Sequence, residues 1–244
     1  MARKERQKST QGQNSGLILN DVKPITMTQS KIFKEFYHGN NLVLYGVPGS
    51  GKTFVAVALA LAAIERGQYR KLVIYRSTVP SRDMGFLPGS ADAKAAVYEA
   101  PYEGICAELY GRADAWGILK LRKVVEFKST AFIRGITESN CIVLVDEAQN
   151  CAFRELNTIA TRMGDNSRLI VSGDMGQQDY LGADDSGLPK FMRILQMLNN
   201  VSFIEMQIED IVRSGFVKDY MIASYNYEKK KYGPDIKLKS LEAA

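Results

Sequence analysis

Eight consecutive residues carry the first chemical statement of this chain: Gly46-Val47-Pro48-Gly49-Ser50-Gly51-Lys52-Thr53, directly after the apolar run Leu42-Val43-Leu44-Tyr45. They fit the spacing G-x-x-x-x-G-K-[ST] of a phosphate-cradling loop. Glycines tolerate positive φ and have no Cβ, so successive backbone N–H groups can turn inward around a phosphate chain. Gly46, Pro48, Gly49, Ser50 and Gly51 would form the cradle. Lys52 adds a point charge that reaches the outer phosphates, and the Thr53 hydroxyl is placed to ligate Mg²⁺. The apolar stretch Phe54–Ile64 reads as a helix whose N-terminal dipole faces the phosphates.

A second cluster is acidic. Cys141-Ile142-Val143-Leu144-Val145 reads as a buried strand that ends in Asp146-Glu147. Ligands of open α/β sheets sit at the carboxyl ends of the strands, so this pair should emerge beside the phosphate loop. Asp146 is the expected second Mg²⁺ group, and Glu147 the group that accepts a proton from attacking water. Leu169-Ile170-Val171-Ser172 leads likewise into Gly173-Asp174 and Gln177, where an amide could sense a γ-phosphate or orient water.

These residues need a scaffold. Strands are expected at Leu42–Tyr45, Leu72–Tyr75, Val124–Phe127, Ile142–Val145, Leu169–Ser172 and Phe203–Met206, most of them apolar without alternation, as in strands covered on both faces. Helices are expected at Thr28–Tyr37 with Thr28 as N-cap, Lys52–Arg66, Ala93–Tyr110, Phe153–Met163, Leu188–Leu198 and Val217–Tyr227. Alternation of the two predicts an α/β fold, a mostly parallel sheet with helices on both faces.

Bulk properties narrow the class. With 244 residues the chain has room for one such domain. Its net charge of +5 favours polyanionic partners without requiring them. Residues 1–20 read as a basic tail, 21–228 as the nucleotide-binding domain, and 229–244 as a basic, polar tail. The longest apolar run, Phe54–Ile64, is about half the roughly 20 residues that cross a bilayer, and the start lacks the apolar core of a secretion signal. Cys106, Cys141 and Cys151 show neither metal spacing nor a disulfide framework, so a reducing, cytoplasmic setting is expected.

The pattern as a whole resembles the PhoH-like family of P-loop ATPases, which are related to superfamily 1 helicases. The resemblance covers residues 27 to 228. Besides the phosphate loop and the acidic strand end it rests on Gly85-Phe86-Leu87-Pro88-Gly89 with Arg76 upstream, and on Phe132-Ile133-Arg134-Gly135. Thr161-Arg162-Met163-Gly164, Gly173-Asp174 with Gln177, and Asp210-Ile211-Val212-Arg213 complete it.

The resemblance implies a RecA-like P-loop NTPase fold and assigns roles by position. Gly49 to Thr53 would bind ATP, Gln29 would recognise adenine, Asp146 would hold Mg²⁺, Glu147 would activate water and Gln177 would sense the γ-phosphate. Arg213 would be an arginine finger. Since the chain has one P-loop, the finger would come from a neighbouring subunit in a homo-oligomeric ring, with a hexamer expected. Arg76 and Arg134 are the candidate contacts to single-stranded RNA or DNA; the tyrosines and lysines from Tyr220 to Tyr232 offer another, but an amphipathic last helix with its tyrosines packed on the core is the preferred reading of that stretch. A helicase-like ATPase is thus the leading expectation. A partner-gated assembly module would share every phosphate-site residue, and a P-loop kinase is disfavoured by the acidic pair at a strand end.

Overall fold

Two apolar periodicities build the molecule: runs of five or six residues that can be buried on both faces, and longer stretches that present one or all faces of a helix. The computed structural model describes residues 16–78, 91–130, 133, 135, 137–174, 187–212 and 215–232, with backbone alone at 91–95 and 228–232. Along the chain these form α1 (Met27–Tyr37), β1 (Asn41–Gly46), α2 (Lys52–Glu65), β2 (Lys71–Arg76), α3 (Ala91–Tyr110), α4 (Ala115–Leu121) and β3 (Val125–Ser129). Then follow β4 (Cys141–Asp146), α5 (Phe153–Ala160), β5 (Arg168–Gly173), α6 (Leu188–Leu195), β6 (Val201–Met206) and α7 (Gly215–Tyr232).

The six strands form one sheet in the order β3-β2-β4-β5-β1-β6, and every pair is parallel. Alternate residues of each strand enter different cores. Leu42, Leu44, Leu72, Ile74, Ile142 and Leu144 face α1 to α4, while Val43, Val73, Val143 and Val145 face α5 and α6. β4 is buried at all six positions, which explains why its sequence is apolar without alternation. α2 is apolar on nearly every side because it is sunk into the first core, with eight of its residues buried.

All six expected strands exist, and the sheet is entirely parallel. β3 begins one residue later than expected because Val124 still belongs to the turn that closes α4, its N–H donating to Leu119 O at 2.9 Å. The N-cap of α1 is Thr26, not Thr28: Thr26 Oγ1 accepts the Gln29 N–H at 3.1 Å. α4 lies outside the expected elements. It is seven residues long with Gly117 inside it, and its Ala115, Trp116 and Leu119 are buried against α3 and the sheet. α5 stops at Ala160 rather than Met163, since Thr161 Oγ1 bonds back to Asn157 O at 2.9 Å and the next turn tightens. Met163 is thereby released to bridge Glu138, and the Gly164 N–H donates to Glu138 O at 2.7 Å. Leu17, Leu19 and Val22 pack on the first core, and Asn20 N–H donates to Leu109 O at 2.8 Å, so the residues from 17 onward are docked rather than a free tail. α7 continues to Tyr232.

Because β5 lies between β1 and β4, three carboxyl ends converge: the phosphate loop after β1, Gly173-Asp174 after β5, and Asp146-Glu147 after β4.

Candidate active site

The phosphate loop is shaped by positions where only glycine fits. Gly46 has φ 121°, and a Cβ there would fall 2.0 Å from Met206 O of the adjoining strand. That close passage lets the Val47 N–H donate to Met206 O at 3.0 Å. Gly49 (φ 72°) and Gly51 (φ 84°) also occupy the left-handed region that favours glycine. Between them Ser50 is fully buried and its Oγ donates to Val47 O at 2.8 Å, locking the turn that follows Pro48. Lys52 Nζ reaches back to Gly46 O at 2.9 Å and Val47 O at 2.7 Å, so its charge is held over the loop. No side chain caps α2, whose first N–H groups point into this loop with the positive end of the helix dipole behind them.

Gln29 stands against the loop from the first turn of α1. It is buried, its Oε1 accepts the Ile25 N–H at 2.9 Å, and its Nε2 lies 3.9 Å from where a Gly51 Cβ would sit. On the same side, Val212 N–H donates to Gly49 O at 3.4 Å, which ties the segment after β6 to the loop.

Opposite lies the acidic end of β4. Asp146 is 2% exposed, and each of its carboxylate oxygens receives a hydroxyl. Thr53 Oγ1 donates to Oδ1 at 2.8 Å and Tyr102 OH donates to Oδ2 at 2.7 Å. Glu147 has φ 51°, a left-handed conformation uncommon for a residue with a side chain. A 3-10 turn over Ala148–Asn150 and the Gln149 Nε2 bond to Glu147 Oε2 at 2.6 Å hold it there. Gln149 is itself buried, and its Oε1 accepts the Asp174 N–H at 3.0 Å, linking the ends of β4 and β5. Burial pushes the Glu147 carboxyl up, and the Asp146 charge adds to this against the Gln149 bond and the Arg76 and Lys52 charges.

Arg76 is in register with Asp146 across β2 and β4. Burial would loosen its proton, but the adjacent Tyr102, Asp146 and Glu147 hold the guanidinium more firmly charged than usual. The structure therefore brings Arg76 into the carboxylate cluster. It brings together Gln29, Gly46, Pro48, Gly49, Ser50, Gly51, Lys52, Thr53, Asp146 and Glu147 as well. Gln177, Arg134 and Arg213 lie outside the described residues. Sequence reasoning missed Tyr102 and the bridging role of Gln149. Nothing in the local sequence marks Tyr102, since its partner is 44 residues away.

Thr53 and Asp146 together offer a hydroxyl and a carboxylate, hard oxygen donors of the kind Mg²⁺ takes. Among the described residues no group of three or more His, Cys, Asp or Glu could hold a metal alone. The pair thus fits a cation that completes its shell with phosphate oxygens and water, not a self-contained metal centre.

The family described as PhoH-like protein matches residues 21–225. A PhoH-like protein of Mycobacterium leprae is 32% identical over 216 residues, covering 87% of this chain and 61% of that protein. One from Bacillus subtilis is 33% identical over 180 residues, covering 73% and 56%. The chain thus spans about 60% of the length of the relatives it matches. Among solved structures, the large terminase of a thermophilic bacteriophage superposes with a TM-score of 0.50 at 13% identity, over 87% of this chain and 52% of that one. That likeness concerns the fold, which is that of a RecA-like P-loop NTPase. With most of its length matched by one family and its phosphate loop joined to an acidic strand end, the chain belongs to the PhoH-like family.

Proposed function

We propose that this protein binds ATP with Mg²⁺, hydrolyses it, and couples hydrolysis to remodelling of RNA or single-stranded DNA. The observation that carries the reading is the 2.8 Å bond between Thr53 Oγ1 and Asp146 Oδ1, which joins the phosphate loop to the acidic strand end with Glu147 alongside. The loop N–H groups and Lys52 bind and orient the phosphates, and Gln29 reads the base beside Gly51. Thr53 and Asp146 hold the cation, which when bound neutralises charge on the phosphates. Glu147 accepts the proton of the attacking water, and the buried setting that raises its carboxyl brings it nearer the range of a working base. Gln177 senses the γ-phosphate, and Arg213 of an adjoining subunit in a ring, taken as a hexamer, neutralises developing charge.

Nucleic acid is proposed to cross the carboxyl ends of β2 and β3, where Thr78 and Ser129 hydroxyls pair at 2.6 Å, with Arg134 as its cationic contact. The guanidinium of Arg76 faces Asp146 and Glu147, so its proposed service to a polyanion is indirect, through the hydrolytic cluster. The net charge of +5 supports an anionic partner.

The test is ATP hydrolysis by the purified protein with and without single-stranded RNA or DNA, beside Lys52→Ala and Glu147→Gln. Stimulation by nucleic acid, lost in both variants, is the expected result. A general base contributes about 10² to 10⁴ in rate, so Glu147→Gln should fall by at least that lower figure while still binding ATP. Hydrolysis indifferent to every polymer would leave an ATPase gated by a protein partner. Tight ATP binding without hydrolysis would point instead to an assembly module or a kinase.

A further inference from the structure

We infer that Tyr102 is a positioning residue for Asp146, fixing that carboxylate in the orientation in which, together with Thr53, it receives a divalent cation. The inference rests on the reading of Asp146 as a cation ligand. Asp146 has two oxygens, and the chain supplies one hydroxyl to each, from two different helices. Thr53 of α2 bonds Oδ1 and Tyr102 of α3 bonds Oδ2. A carboxylate gripped at both ends cannot rotate about its last bond.

Packing does not call for a hydroxyl at this position. Tyr102 has 0% exposure, and a phenylalanine would fill the same space between the sheet and α4. A buried phenol oxygen must find partners or carry a desolvation cost. Here it donates to Asp146 Oδ2 at 2.7 Å, and Arg76, in register with Asp146 on the neighbouring strand, adds its positive charge nearby. The phenol thus spends its donor capacity on the nucleotide site.

The ring is as constrained as its hydroxyl. It stacks on Trp116 with centroids 5.9 Å apart and planes at 25°, and meets Phe127 at 5.8 Å. Trp116 in turn donates from Nε1 to Glu99 Oε2 at 2.8 Å, and Lys120 Nζ donates to the same oxygen at 2.6 Å. α3 and α4 contribute no residue to the phosphate loop or to the acidic strand end, yet through Tyr102 they orient its carboxylate. Removal of a partner that orients a metal ligand characteristically costs about ten- to a hundredfold in metal affinity.

The experiment compares ADP binding to the full chain in MgCl₂ and in EDTA, for wild type and Tyr102→Phe. The ratio of the two dissociation constants isolates the contribution of the cation. For Tyr102→Phe that ratio should fall about tenfold. Affinity in EDTA should stay within about twofold of wild type. A role in packing alone would lower both affinities together, and that result, or an unchanged ratio, would overturn the inference. If the wild-type ratio is itself near one, the reading of Asp146 as a cation ligand has failed and the inference falls with it. Should Tyr102→Phe not fold, Trp116→Phe keeps the phenol while loosening its wall. A ratio lowered about twofold or more supports the inference, and an unchanged one overturns it.

Discussion

Gly46 shows how narrowly a single residue can be constrained. A Cβ placed 2.0 Å from Met206 O meets backbone, not a flexible side chain, and the residue's φ of 121° is foreign to any other amino acid. Gly46→Ala should therefore cost about 3 kcal/mol or more, combining backbone strain with forced separation of β1 and β6. Chemical denaturation would measure it. An alanine variant within about 0.5 kcal/mol of wild type would show that the strands can part freely. Gln149 is constrained by chemistry instead. Its amide N–H donates a hydrogen bond to Glu147 and its amide oxygen accepts one from the Asp174 backbone N–H, so it couples the expected base to the strand that leads towards Gln177. Gln149→Leu leaves the buried Asp174 N–H without that acceptor and frees the Glu147 side chain. Stability should drop by about 1 to 3 kcal/mol. In the hydrolysis assay kcat should fall with KM little changed, since neither bond touches the phosphate loop.

The strands were legible in the sequence because burial on both faces leaves an unbroken apolar run, and the phosphate loop because its glycines are dictated locally. What could not be read depends on partners far along the chain. α4 was hidden because a seven-residue helix with an internal glycine owes its existence to Trp116 packing on Tyr102 rather than to its own periodicity. Glu138 is the same case among charges. In sequence it is one polar residue among Thr137, Ser139 and Asn140, yet it is 3% exposed and accepts from Tyr75 OH at 2.9 Å, 63 residues away. Lys71 pairs with it at 3.2 Å, Lys128 contacts it as well, and both lysines bind Glu126 at 2.9 and 3.1 Å. This network joins β2 and β3 to the strip that Met163 bridges, at the outer edge of the sheet. Burial alone would raise the Glu138 carboxyl, but the Lys128 and Tyr75 hydrogen bonds and the two lysine charges hold it below its ordinary 4.5. A lowered folded-state value means that the stabilisation is complete above the unfolded value and is lost as pH falls through the folded one. Wild type should thus lose stability below about pH 4.5, whereas Glu138→Gln should be flatter there and about 3 kcal/mol less stable at pH 7. Urea unfolding of both proteins between pH 3 and 7 decides it. Parallel curves would mean that the network contributes no net charge stabilisation.

At the scale of the whole molecule, the proposed ring would bring a neighbouring subunit to the segment after β6. Val212 is tethered to Gly49 of the phosphate loop, and α7 follows with Phe216 81% exposed and Tyr220 62% exposed, stacked on each other with centroids 6.1 Å apart. Large apolar side chains so exposed are what a subunit contact would cover. If Arg213 serves the ATP of a neighbour, catalysis belongs to the interface and not to the subunit, and that can be tested by mixing. Arg213→Ala keeps its own Glu147 but offers no finger, while Glu147→Gln keeps its finger but has no base. Each variant alone should be inactive. In an equimolar mixture allowed to exchange subunits, about a quarter of the contacts in a head-to-tail ring pair an intact finger with an intact base. Hydrolysis should accordingly recover to roughly a quarter of wild type, and only above the concentration at which light scattering shows assembly. A finger acting within its own subunit predicts no recovery at any ratio, because neither polypeptide then contains a complete site. The outcome separates the two arrangements without any knowledge of the polymer on which the protein works.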